Sequence, residues 1–137
     1  MTLITPHLAV GDSEDPVKYE RQIDAFLCCA EELIMPQGKP GFHLPLRDGE
    51  PIDGHNLDAA FRFLDEQLQA ERVVLVYCAA GRSRSVSVMT GYLALRNFQA
   101  PKALLRRIWK LRPEVCPSEP TFESVVRYVN EMKWKCR

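Results

Sequence analysis

Residues 73–95, VVLVYCAAGRSRSVSVMTGYLAL, leave the chain few ways to fold. They open on Val73, Val74, Leu75, Val76 and Tyr77, a β-branched run bounded by a polar loop. Such a run predicts a short strand buried on both faces. They close on Val86, Val88, Met89, Tyr92, Leu93 and Leu95, which spread around a helix instead of forming one stripe. That spread predicts a helix covered on more than one side. Between the two lies Cys78-Ala79-Ala80-Gly81-Arg82-Ser83-Arg84-Ser85, a polar loop joining the end of a core strand to the start of a core helix.

A tight loop in that position points successive backbone N–H groups inward at the positive end of a helix dipole, a cradle for a tetrahedral oxyanion. Gly81 permits the turn where a side chain would obstruct it. Arg84 can lay a guanidinium fork on two oxygens of the same anion. The same field favours a thiolate at Cys78, which makes that residue a nucleophile aimed at a phosphorus held in the loop. The alternative, an inert buried cysteine ahead of a solvated Arg/Ser loop, leaves the order strand, Cys, Gly, Arg, Ser, helix unexplained.

The remaining bounds are simple. At 137 residues the chain suits one domain, residues 1–137, with a single core. Eighteen basic and 18 acidic residues give a formal net charge of +0, so nothing draws the whole molecule to nucleic acid or a membrane. There is no long apolar span, and Met1-Thr2-Leu3-Ile4-Thr5-Pro6 shows no signal-peptide pattern, so neither a membrane span nor secretion is expected. Five cysteines, two of them adjacent at Cys28 and Cys29, make a poor disulfide framework and fit a reducing cytoplasm. His7, His43 and His55 do not cluster and no cysteine pair has zinc spacing, so neither metal nor cofactor is expected. The expected state is a monomer.

Along the chain, residues 3–5 and 8–10 predict a short β pair broken by Pro6. Asp15-Pro16 starts a short polar helix running to Gln22. Residues 23–29 predict a buried strand, residues 31–35 are ambiguous, and residues 42–46 predict a strand near a sheet edge because of Pro45. Leu57, Ala60, Phe61, Leu64 and Leu68 form a helical stripe capped by Asp53 or Asn56. A further helix starts at Pro101 and stops at Arg112-Pro113, with Lys102, Arg106, Arg107 and Lys110 on its wet face. The last helix, bearing Phe122, Val125, Val129 and Met132, is assigned Thr121 as its cap. Strands alternating with helices predict an α/β fold with a mostly parallel central sheet of four to five strands flanked by helices.

The phrase C-A-A-G-R-S-R-S resembles the signature loop of the cysteine-dependent protein tyrosine phosphatases, and the G-Y-L-A-L helix after it resembles their dual-specificity branch. The opening strand pair and the R-P-x-x-x-P phrase at residues 112–117 extend the resemblance over most of the chain, although Ser118 stands where the family often has asparagine. The resemblance implies hydrolysis of phosphotyrosine, with phosphoserine or phosphothreonine as further substrates. It implies phosphate binding by Cys78, Ala79, Ala80, Gly81, Arg82, Ser83 and Arg84. The family's general acid is an aspartate on an upstream loop after a strand and before a helix; Asp48 occupies that place and Asp53 is its rival. Ser85 matches the hydroxyl that eases departure of the thiolate, while helix capping is the plainer role for Ser83 or Ser85. Tyr77 replaces the family's usual histidine; a tyrosine hydroxyl can still hydrogen-bond, and with the loop dipole and Arg84 in place activity is expected to survive.

The same resemblance bears on the other cysteines. Some members carry a resolving thiol just before an Ala-Glu pair, which matches Cys29 ahead of Ala30-Glu31 as a redox partner of Cys78. Successive strand residues face opposite sides, so only one of Cys28 and Cys29 can serve; both as small core hydrophobes is the other reading. The partner of the chain is then a phosphorylated protein or peptide. Two other functions stay open: a phosphatase-fold module that binds phosphorylated partners with little turnover, and a phosphatase of a non-protein monoester.

Overall fold

The computed structural model describes residues 1–135. Five strands, β1 (Thr2–Thr5), β2 (Leu8–Gly11), β3 (Ala25–Cys28), β4 (Gly41–His43) and β5 (Val74–Tyr77), form one sheet in the order β1-β2-β5-β3-β4. Only β1 is antiparallel; β2, β5, β3 and β4 run parallel, as the apolar run at residues 73–77 requires of a central strand. The helices are α1 (Asp15–Lys18), α2 (Gly54–Gln69), α3 (Arg84–Asn97), α4 (Pro101–Leu111) and α5 (Glu119–Lys135).

The period-two alternation of the strands divides the interior. Val10, Leu27, Cys29, Val76 and Cys78 share one core with the apolar faces of α2 to α5. Ala9, Phe26, Cys28, Leu75 and Tyr77 face the other side, with Ile23, Tyr19, Leu33 and Met35 over them. Helix α3 runs through the larger core, packed against both α4 and α5, with Arg84 to Ala94 all buried. Its Gly91 allows that: a Cβ there would lie 2.6 Å from Val125 Cγ1 of α5.

The parallel register aligns Gly11, Tyr77, Cys28 and His43 at one edge of the sheet. The loops after β2, β3, β4 and β5 therefore leave side by side, the usual place for a ligand crevice in such sheets.

Three expectations need correction. The strand expected over residues 42–46 ends at His43: Leu44 N still donates to Cys28 O, but Pro45 has no N–H and Leu46 N folds back onto Leu44 O. The helix expected to reach Gln22 stops at Lys18 and gives way to a 3₁₀ turn, Glu20–Gln22. Thr121 does not cap α5, which begins at Glu119; its hydroxyl bonds Glu50 O instead.

Candidate active site

The loop after β5 curls over the N-terminus of α3, and its carbonyls are tied outward. Ala79 O accepts from Ser13 N (3.2 Å), Gly81 O from Arg112 Nε (2.9 Å) and Arg82 O from Cys116 N (2.9 Å). In a trans peptide the C=O and the following N–H point in opposite directions. Holding these three carbonyls to the scaffold thus turns the N–H groups of Ala80, Arg82 and Ser83 toward the concave side. Gly81 sits at φ +66°, and a Cβ there would meet Arg112 Nη2 at 2.6 Å and Gly11 O at 2.7 Å, so glycine is required.

At the base of this cradle Cys78 is 2% exposed, with its Sγ 3.2 Å from the hydroxyl of fully buried Ser85. Ser83 occupies the N-cap position of α3 but makes no capping bond; its hydroxyl accepts from Ser118 N at 2.9 Å. Ser118, standing where the family often has asparagine, thereby fastens the start of α5 to the loop.

Arg84 is 4% exposed. Its Nη1 donates to Glu32 Oε1 (2.6 Å) and to Leu46 O (3.0 Å), and its Nη2 to Glu32 Oε2 (2.7 Å). A guanidinium has five N–H donors. The ones left over, on Nε and Nη2, lie on a single edge of the plane and form the fork that fits two oxygens of an anion. The Glu32 hydrogen bonds push the Arg84 guanidinium up from its ordinary value against the cost of burial, and the charges of Glu32, Cys78 and Asp48 add to it.

Asp48 therefore lies within electrostatic reach of Arg84, exposed on a turn after β4. That turn is anchored at both ends. Leu46 O accepts from Arg84 and from Glu31 N, while Glu50 O accepts from Thr121 and Ile52 N donates to Ser124 Oγ. Asp53 is otherwise engaged: it is the N-cap of α2, its carboxylate accepting from His55 N at 2.8 Å. Arg82 is exposed at the rim, while Ala79 is half-buried and Ala80 exposed.

Strand alternation decides on which face two neighbours of the loop lie. Tyr77 turns away from the loop; its hydroxyl is buried on the far face beside Cys28 with no hydrogen-bond partner of good geometry. Burial, with Cys28 adding, pushes the phenol well above its ordinary value. Cys29 lies in the core that contains Cys78, whereas Cys28 faces Tyr77 and donates to Ala30 O. The four described cysteines are all free thiols.

Glu32 and Arg112 escaped the sequence reading. The signals were present, an acidic pair following the end of a central parallel strand and an arginine ahead of a helix-stopping proline, but each acts 31 or more positions away from its partner. Among the described residues no group of three His, Cys, Asp or Glu side chains could hold a metal ion.

The chain matches the family model described as dual specificity phosphatase, catalytic domain, over residues 10–131. Tyrosine-protein phosphatase vhp-1 of Caenorhabditis elegans is 23% identical over 141 residues, taking in 95% of this chain and 21% of the nematode protein. The chain spans from 21% to 43% of the length of the curated relatives it matches. Among solved structures, human DUSP28 superposes with a TM-score of 0.88 at 19% identity, covering 98% of this chain and 99% of that one. PTPMT1 in complex with PI(5)P superposes at 0.83 with 20% identity, over 98% and 97% of the two chains.

Proposed function

The chain belongs to the dual-specificity phosphatase family, and on that premise we propose that it hydrolyses phosphotyrosine monoesters, and phosphoserine or phosphothreonine monoesters beside them, through a cysteinyl-phosphate on Cys78. The observation that supports this reading is that three features gather around the loop after β5. They are the Cys78 sulfur beside Ser85, the remaining fork of Arg84, and the N–H groups of Ala80, Arg82 and Ser83.

The chemistry follows from what each group can do. The phosphate sits in the cradle with two oxygens on Arg84, so charge that builds on the transferring group meets donors already aimed at it. Cys78 attacks phosphorus as the ester oxygen leaves. That oxygen is a poor leaving group, and Asp48 protonates it as the bond breaks. The same carboxylate, now ionised, takes a proton from the water that attacks the phosphocysteine. Ser85, 3.2 Å from the sulfur, donates to it as it departs as thiolate.

Phosphopeptides are favoured over polyphosphoinositides. Ala79 and Ala80 offer no cation to a second phosphate, while Arg82 stands at the rim toward the flank of a peptide. The test is steady-state turnover of a small aryl phosphate, a phosphopeptide panel and a phosphoinositide panel. Turnover is expected with EDTA present, abolished in Cys78→Ser and in Arg84→Ala. Loss of activity in EDTA, or normal turnover by Cys78→Ser, overturns the mechanism. More efficient hydrolysis of a phosphoinositide than of any phosphopeptide moves the substrate class to lipids, and binding without turnover makes the chain a recognition module.

A further inference from the structure

Arg112 follows α4, a segment that the mechanism above does not use. It is 6% exposed, and its guanidinium meets three partners. Nε donates to Gly81 O at 2.9 Å, Nη1 donates to Thr2 Oγ1 at 2.9 Å, and Glu114 Oε1 lies 3.3 Å from Nε. Nη2 is packed so close to Gly81 that a Cβ there would lie 2.6 Å from it. A plain surface ion pair with Glu114 explains none of this: Glu114 is 44% exposed and the more distant contact, while the carbonyl of the phosphate-binding loop is the nearer one.

We propose that Arg112 is a positioning residue for phosphate binding, holding the Gly81–Arg82 peptide so that its N–H faces the phosphate. The argument is geometric first. A peptide pinned at its oxygen by a buried cation cannot flip, and its N–H stays on the opposite side, the concave side. It is electrostatic second. A positive charge on the carbonyl oxygen draws electron density along the amide and strengthens the N–H as a donor, as in any chain of coupled hydrogen bonds. The neighbouring peptide is held from the same segment, since Cys116 N donates to Arg82 O. The side chain just before the nucleophile gives no such support, because Tyr77 lies on the far face of the sheet. Thr2 makes the edge strand β1 part of the arrangement, by fixing the outer end of the Arg112 fork.

The proposal rests on the phosphate cradle of the preceding section, and its test separates the two. Phosphate binding is measured by isothermal titration with inorganic phosphate in a Cys78→Ser background, which keeps the cradle and needs no turnover. Arg112→Gln is expected to weaken phosphate binding by about tenfold or more, the scale of a hydrogen bond to a charged group. Arg112→Lys, which keeps the charge and a donor but not the fork, is expected to recover part of that loss. In the chain with Cys78 intact, kcat/KM on an aryl phosphate is expected to fall by at least the same factor, with part of the loss in kcat. Melting temperatures of all variants establish that they are folded. A folded Arg112→Gln with unchanged phosphate affinity and unchanged kcat/KM, or a lysine variant no better than glutamine, overturns the proposal. If Arg112→Gln does not fold, Thr2→Val removes only the outer anchor; a weakening of about two- to fivefold supports the proposal and unchanged affinity overturns it. Absence of turnover in the unmodified chain, with phosphate still bound, overturns the phosphatase reading and leaves the Arg112 comparison standing.

Discussion

Glu32 grips Arg84 with both carboxylate oxygens, at 2.6 and 2.7 Å from the two η nitrogens. Leu46 O takes the remaining Nη1 proton, so the guanidinium has one orientation, with its Nε edge left uncommitted. Rotational freedom that other arginines lose on binding is already gone here. Glu32→Gln keeps the shape but loses the charge-assisted pairing, and is expected to lower kcat/KM on an aryl phosphate by about tenfold. Glu32→Ala, which also frees the rotation, is expected to lower it further. Unchanged kinetics in both variants rule out the positioning role of Glu32.

The same pair makes acid stability depend on Glu32. Its hydrogen bonds to Arg84 hold the carboxyl at about 2, against an ordinary 4.5. A carboxyl depressed on folding contributes stability that is complete above its unfolded value and lost as pH falls toward its folded one. The difference in melting temperature between the native chain and Glu32→Gln is therefore expected to be constant above pH 4.5 and to shrink between pH 4.5 and about 2. Its size is expected to be small, because the Glu32 side chain is 49% exposed and water screens the pair. Thermal unfolding of both proteins across that pH range measures it.

Tyr77→Phe tests whether the hydroxyl does anything for the loop. It is buried beside Cys28 with no hydrogen-bond partner of good geometry, so removing it deletes a poorly satisfied polar group and no strong bond. The expected outcome is unchanged kcat/KM and a melting temperature equal to or above that of the native chain. A drop in kcat/KM in the folded variant would show that the hydroxyl supports the loop after all.

Asp48 and Asp53 should separate cleanly. Asp48→Asn is expected to lower kcat by roughly a hundredfold and to flatten the alkaline limb of the pH profile, as loss of a general acid does. Asp53→Asn removes no catalytic group, and asparagine caps nearly as well, so kcat is expected to hold; Asp53→Ala is expected to cost about 1 kcal/mol of stability through the lost cap. The opposite pattern in kcat transfers the acid role to Asp53.

What could be read from the chain and what could not divide along sequence distance. Cys78, Gly81, Arg84 and Ser85 lie within eight consecutive residues, so strand, turn and helix signals place them together without any knowledge of the fold. The β-branched run before them identifies a parallel core strand by the same local logic. Glu32 meets Arg84 only because β3 pairs beside β5, and strand order is decided by packing among distant segments. Arg112 reaches Gly81 because α4 ends beside the loop, which no periodicity reveals. Thr121 has the composition of a cap but finds a tertiary acceptor, Glu50 O, and Pro45 ends a strand whose alternation continues on paper to Leu46.

Of the two adjacent cysteines, Cys29 is the one expected to trap an oxidised Cys78. It shares a buried cluster with Cys78, while Cys28 points to the far face. Peroxide is expected to oxidise Cys78 by two electrons to a sulfenic acid, the peroxide being reduced to water. The Cys29 sulfur then attacks that sulfur; the S–O bond breaks, the hydroxide leaves with the thiol proton as water, and a disulfide remains. Burial pushes the Cys29 thiol well up from its ordinary value and the nearby Cys78 adds to it, so the attacking thiolate is scarce near neutrality. Trapping is therefore expected to speed up as pH rises, because a thiol with a raised value is deprotonated only at higher pH. After mild peroxide, the native chain and Cys28→Ser are expected to recover activity with a thiol reductant and to yield a peptide linking Cys29 to Cys78. Cys29→Ser is expected to recover much less, as its Cys78 passes on to sulfinic acid. Full recovery in Cys29→Ser, or a linked peptide that contains Cys28 in place of Cys29, sinks the assignment.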